Sequence, residues 1–129
     1  MKEPIWVLDE IVESVHSMLL AEHGGGSGIR DKSLLDSALA RAKQKFSYDS
    51  SVSIFDLAAA YSFGIAKNHP FVDGNKRTAF TIGTLFLEIN GFKLNATEVD
   101  ATIAFENLAS DVLKENELSL WFEEYCIKV

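Results

Sequence analysis

The sequence predicts an all-α fold: a compact single-domain bundle of about six helices around a central apolar helix over residues 75–90. Three observations point there. Apolar residues recur at helical spacing in most segments, Gly, Pro and Asn-Gly breaks separate those segments, and strand-type alternation is weak throughout. The length of 129 residues fits one domain over 1–129. Hydrophobic residues make up 47% of the chain, with nine Phe, three Tyr and two Trp among its large side chains. That is enough apolar surface to offset chain entropy, which excludes disorder.

The first helix is expected from Asp9 to Glu22, with Ile11, Val12, Val15, Met18 and Leu19 on one stripe. Gly24-Gly25-Gly26 stops it. Asp31 or Ser33 can cap a second helix that carries Leu34, Leu35, Ala38 and Leu39 and fades near Gln44. Phe46 to Ser53 is polar and Ser-rich, a loop or short hairpin. Ser53 with Asp56 resembles a capping box that opens a third helix to about Asn68, where Pro70 forbids continuation through His69. The fourth helix starts near Asn75 and runs to about Asn90, apolar on nearly every side and so expected at the centre. Thr97 with Asp100 resembles another capping box, for a helix to about Leu113, and Ser119 can cap a last helix with Leu120, Trp121, Phe122 and Tyr125.

Composition limits the function. A single cysteine, Cys126, fits a reducing compartment and makes no internal disulfide. Without a signal-peptide pattern or a long enough apolar run, the expected location is the cytoplasm, with no membrane span. Residues 1–27 carry a net charge of −4, residues 28–96 +3 and residues 97–129 −6. A basic middle between acidic ends suits a small anionic ligand, while a pI near 4.9 argues against direct DNA binding.

The informative stretch is His69-Pro70-Phe71-Val72-Asp73-Gly74-Asn75-Lys76-Arg77, a loop between two hydrophobic helices. A helix start offers free backbone N–H groups and the positive dipole end, which together attract anions. Lys76 and Arg77 add two cations to that same first turn. Cations there oppose the dipole unless an anion sits among them. Gly74 permits close backbone approach, and Asn75 can orient a phosphate or cap the helix. His69 is the natural proton acceptor, Asp73 can hold Mg²⁺, and Phe71 is expected to point inward. Each residue alone has an ordinary structural reading, as a cap or a solvated face. Their crowding at one helix start is what points to chemistry.

This stretch resembles the core motif of the Fic/Doc family. In its Doc branch the motif reads His-x-Phe-x-Asp-x-Asn-Lys-Arg, matched by His69, Phe71, Asp73, Asn75, Lys76 and Arg77. Gly24-Gly25, Gly28-Ile29-Arg30-Asp31, Leu34 to Leu39, and Leu85 to Gly91 extend the likeness along the chain. The resemblance implies a toxin with a neutralising antitoxin. Its activity would be that of a kinase moving the ATP γ-phosphate to a protein Ser or Thr, as on elongation factor Tu. It also implies His69 as base, Asp73 on Mg²⁺, and Gly74, Asn75, Lys76 and Arg77 on the phosphates. Phe80 stands where Fic proteins carry a second Arg, which counts against the alternative of AMP transfer. A catalytically silent Fic-like binding module is the other alternative.

Other candidates are weaker. Thr102 to Asn107 matches a loose inhibitory pattern of Fic enzymes, but Phe80 removes the Arg that its Glu would pair with, so Glu106 reads as a solvated helix residue. Gly24 to Gly28 reads as a flexible turn rather than a phosphate loop, and His16 and His23 read as surface residues. Arg41, Lys43 and Lys45 read as a solvated helix end, with contact to ATP or a target as the functional alternative. Cys126 has no nearby cation and reads as inert. Trp6, Trp121 and Phe122 are candidates for an antitoxin groove, with core burial the competing fate.

Overall fold

A computed structural model describes residues 1–129. Its elements are α1 (Asp9–His23), α2 (Lys32–Tyr48), α3 (Ile54–Asn68), α4 (Asn75–Ile89), β1 (Phe92–Leu94), α5 (Glu98–Ala109), α6 (Glu115–Tyr125) and β2 (Cys126–Lys128). The six helices match the expected count. No helix is long and apolar enough to cross a membrane.

Helix α3 occupies the middle, with α2, α4 and α6 packed around it. Nine of its residues are buried, including the run Leu57 to Ser62. The central position expected for α4 is therefore shared, and α3 is the more enclosed of the two. Small residues make this possible. A Cβ on Gly64 of α3 would lie 3.0 Å from the Ala38 carbonyl of α2, and one on Gly83 of α4 would lie 3.3 Å from the Ala58 carbonyl of α3. Backbones approach this closely only where no side chain intervenes.

Aromatic side chains seal the end away from the His69 loop. Trp6 stacks on Phe86 and meets Phe46 edge-on, with centroids 6.0 and 5.7 Å away. The Tyr61 hydroxyl accepts the Val7 N–H at 3.2 Å, and burial pushes its pKa up to about 12. Asn90 bridges to the backbone of Ile5 in both directions.

Several boundaries differ from expectation for tertiary reasons. Helix α2 continues through Phe46 to Tyr48 instead of fading at Gln44, because Phe46 packs on Trp6 and Lys45 pairs with Glu115 at 3.1 Å. Helix α5 ends at Ala109 instead of Leu113. Asp111 turns left-handed (φ 67°), and the Val112 and Leu113 N–H groups return to the Asn107 carbonyl. Thr97 caps α5 through the Asp100 N–H, which is only half of a capping box. The strands β1 and β2 form a short antiparallel ladder that weak alternation did not signal, with Lys93 opposite Ile127.

Ser119 does not cap the last helix. Helix α6 begins at Glu115, with the Glu117 carboxylate accepting the Lys114 N–H at 2.8 Å. Ser119 is buried inside α6 and donates to Asp56 Oδ1 at 2.6 Å. Asp56 also completes the expected capping box with Ser53 at the start of α3. Burial alone would raise the Asp56 pKa, but the hydrogen bonds from Ser119 and Ser53 outweigh it and hold the carboxyl below its ordinary 3.8. A lowered folded pKa contributes stability that is complete above the unfolded value and lost as pH falls through the folded one. Asp56→Asn is therefore expected to cost about 1–2 kcal/mol at pH 7, measured by urea melts. The gap to the wild type should narrow as the melts are repeated at falling pH, once acid protonates the unfolded and then the folded carboxyl.

Candidate active site

The His69–Arg77 loop is shaped at both ends by helix termini. Helix α3 stops because His69 adopts a left-handed conformation (φ 50°) just before Pro70. Helix α4 starts at Gly74, whose φ of 81° favours glycine. Between them Phe71 is buried as expected, and its ring lies parallel to His16 at 3.7 Å.

A second segment, residues 26–31, straps this loop from behind. The Arg30 and Asp31 N–H groups donate to the Pro70 carbonyl at 2.7 and 3.1 Å, and the Val72 N–H donates to the Gly28 carbonyl at 3.1 Å. Arg30 Nε donates to the His69 carbonyl at 2.7 Å, and its Nη2 to the Asn68 carbonyl at 2.9 Å. The guanidinium thus sits on the negative end of α3, where a cation is favourable. The Gly26 N–H donates to Asp73 Oδ2 at 2.6 Å. A Cβ on Gly26 would lie 2.9 Å from a methyl of Val72, so a larger residue there would have to displace the Val72 side chain. A Cβ on Gly25 or Gly26 would meet Asp73, whereas one on Gly24 or Gly28 would meet nothing within 4 Å, so only the middle of the glycine segment is packed against the loop.

The three remaining motif residues divide into two kinds. Asn75 is buried, and its amide both accepts from the Phe71 N–H and donates to the Phe71 carbonyl, at 3.0 and 2.9 Å. Its side chain holds the loop, while the residue also borders the cleft. Lys76 and Arg77 are exposed and enter no ion pair. Helix α4 has neither a capping side chain nor an acid in its first turn, whereas α1, α3, α5 and α6 all carry acids there. Its leading N–H groups and two cations are left for an external acceptor.

These groups open onto one cleft of about 1120 Å³, bordered by His69, Asp73, Gly74, Lys76, Arg77 and Phe80 and faced by α5. That volume is ample for a ligand of nucleotide size. Phe80 meets Phe105 edge-on across it at 5.2 Å. Glu106 is exposed and makes no ion pair, yet it and Thr102 stand on the cleft wall rather than on a remote surface. His23 also borders the cleft from the end of α1, while remaining exposed.

The other candidates fall elsewhere. Arg41 and Lys45 both pair with Glu115, and Arg41 lies over the Phe63 ring at 4.8 Å, so they join α2 to α6 outside the cleft. Lys43 lies near Trp6 at 5.9 Å. Trp6 and Trp121 are half-buried and Phe122 is fully buried. Cys126 sits half-buried in β2, and burial pushes its thiol up to about 11, so it is inert at neutral pH. His16 is not on the surface: it is 4% exposed, because it continues the inward stripe of Val12 one turn along α1. Sequence reasoning missed both His16 and Arg30 as supports of the loop. Their partners lie about forty to sixty residues away, and only the four-residue step from Val12 to His16 was a local signal.

A model of the Fic/DOC family matches residues 6–87. Over 90 residues the chain is 42% identical to Toxin Doc of Mycolicibacterium smegmatis, covering 69% of this chain and 68% of that relative. Over 81 residues it is 30% identical to Protein kinase doc of Escherichia phage P1, covering 63% of this chain and 64% of that relative. The strap, the motif loop and all but the last two residues of α4 lie within the matched span, whereas the α5 wall of the cleft lies beyond it.

Proposed function

The chain belongs to the Fic/Doc family, and we propose that it is a toxin of the Doc type. In this reading it is a kinase that transfers the γ-phosphate of ATP to a Ser or Thr hydroxyl of a protein, a translation factor such as elongation factor Tu. A neutralising antitoxin is its partner and the cytoplasm its place of action. The names of the two relatives support the class. The observation that carries the reading is the pair Lys76 and Arg77, unpartnered beside the uncapped first turn of α4 and sharing a cleft with His69 and Asp73.

Each role follows from position. The exposed His69 imidazole takes the proton of the acceptor hydroxyl as its oxygen attacks the γ-phosphorus. The bond from the γ-phosphorus to the bridging oxygen breaks, and ADP leaves. Lys76, Arg77 and the N–H groups after Gly74 hold the phosphates and neutralise their charge, which is where most catalysis of phosphoryl transfer lies. The Asp73 carboxylate is oriented by the Gly26 N–H on one oxygen, and no protein donor reaches the other. A single such carboxylate suits Mg²⁺, which is bound through one or two carboxylates together with substrate phosphates. Mg²⁺ held there would supply further charge neutralisation. Phe80, standing where an Arg belongs in Fic proteins, favours γ-phosphate over AMP transfer.

The test is a labelling assay. Purified protein, Mg²⁺ and a bacterial lysate receive ATP labelled at either the α- or the γ-phosphate. Label from the γ-position alone is the expected result. Label from the α-position would make the protein an AMP transferase, and none from either, with ATP still bound by calorimetry, would favour the silent binding module.

Arg30 offers a second check. Arg30→Ala frees the backbone at His69, and a displacement of about 1 Å at a reacting group can cost about a hundredfold in rate. A fall in transfer of about ten- to a hundredfold is expected, with ATP affinity kept. Arg30→Lys should recover little, because a single ammonium does not span two carbonyls as a guanidinium fork does.

A further inference from the structure

His16 is the only buried histidine of the chain, and the reaction described above does not use it. Its ring contacts Phe71 and Asp73 of the motif loop and faces Gly74. It lies over Phe71 at 3.7 Å with planes 10° apart. Its Nε2 is 2.7 Å from the backbone carbonyl oxygen of Asp73. A Cβ built on Gly74 would come within 3.6 Å of two of its ring atoms. The carbonyl can only accept, so Nε2 carries a proton and donates it. Packing alone does not account for this residue. A buried polar ring costs free energy that a leucine would not, unless its hydrogen bond serves a purpose.

The purpose lies in what surrounds Asp73. Its carboxylate is held by the Gly26 N–H at 2.6 Å, and its carbonyl by His16. With both ends fixed, the residue cannot rotate about its backbone without breaking one bond or the other. We propose that His16 is a positioning residue for Asp73, its Nε2–H locking the Asp73 peptide so that the carboxylate meets a divalent cation bound with nucleotide phosphates. The proposal rests on the assignment of Asp73 to the metal. Outer partners of metal-binding groups act in this way, and their loss costs about 10–100-fold in metal affinity.

Three variants separate the possibilities. His16→Phe keeps a ring over Phe71 and removes the donor. His16→Gln places an amide N–H near the position of Nε2. Asp73→Asn tests the premise. The probe is Mn²⁺ with ATP, its bound fraction read by electron paramagnetic resonance, with Tm measured alongside. His16→Phe is expected to weaken Mn²⁺ binding by about 10–100-fold, with His16→Gln restoring most of it. Wild-type affinity in His16→Phe, or equal loss in both His16 variants, would overturn the proposal. Unchanged Mn²⁺ binding in Asp73→Asn would instead overturn the premise, and the proposal through it. Should His16→Phe fail to fold, ¹⁵N-edited spectra of the wild type read the same contact. The His16 Nε2–H resonance should shift on adding Mg²⁺ and ATP, and should not do so in Asp73→Asn. No shift in the wild type would overturn the proposal.

Discussion

His69→Ala is expected to lower phosphate transfer by about 10²–10⁴-fold, the range for removing a positioned general base. The side chain is exposed and makes no hydrogen bond within the protein, and only its backbone is engaged. Transfer should therefore fall without loss of fold or of ATP binding. His69 is left-handed, a conformation that costs an alanine about 1–2 kcal/mol. His69→Asn is the cleaner variant, because asparagine tolerates that region. It should lose transfer as fully as His69→Ala while keeping the wild-type Tm. Single-turnover measurements with γ-labelled ATP check the rate, and thermal melts check the fold. Transfer retained by His69→Asn would remove His69 from the reaction.

The largest effect on stability is expected at Gly83, where α4 crosses α3. An added Cβ would overlap Ser62 Oγ and stand 3.1 Å from Phe122 Cζ. Ser62 is fully buried, and its hydroxyl donates to the Ala79 carbonyl at 2.6 Å. Gly83→Ala must either push the helices apart or displace that hydroxyl. Overpacking costs about 1–3 kcal/mol, and a buried hydroxyl left without its partner about as much again. The gain in helix propensity returns only about 1 kcal/mol. A net loss of about 2–4 kcal/mol should follow, measured by urea denaturation. Ser62→Ala removes the overlapping atom, so Gly83→Ala should cost less in that background. A double-mutant cycle then gives a coupling energy of about 1 kcal/mol or more.

Much of the site was legible because it is contiguous. His69 to Arg77 occupies one loop and one helical turn, and the chemistry of each residue type could be read at its own position. The caps at Asp31 and Ser53 were legible for the same reason, since a cap and its N–H partner lie three residues apart. What failed was set by distance along the chain. Ser119 has the chemistry of a cap, but Asp56 claims its hydroxyl across 63 residues. Phe46 reads as loop and becomes helix because Trp6 packs on it. The two strands are three residues each, too short for any alternation to register.

The strap behind the motif loop also ties the geometry of that loop to a distant segment of the chain. Its bonds join residues 26–31 to residues 68–73. The helices between them, α2 and α3, lie in the loop that these bonds close, and closing a loop of that length costs chain entropy that the packing of the two helices offsets. The geometry of the motif loop accordingly depends on contacts that span about forty residues of chain. A nascent or partly unfolded chain carries every motif residue and still lacks the geometry that makes them act together.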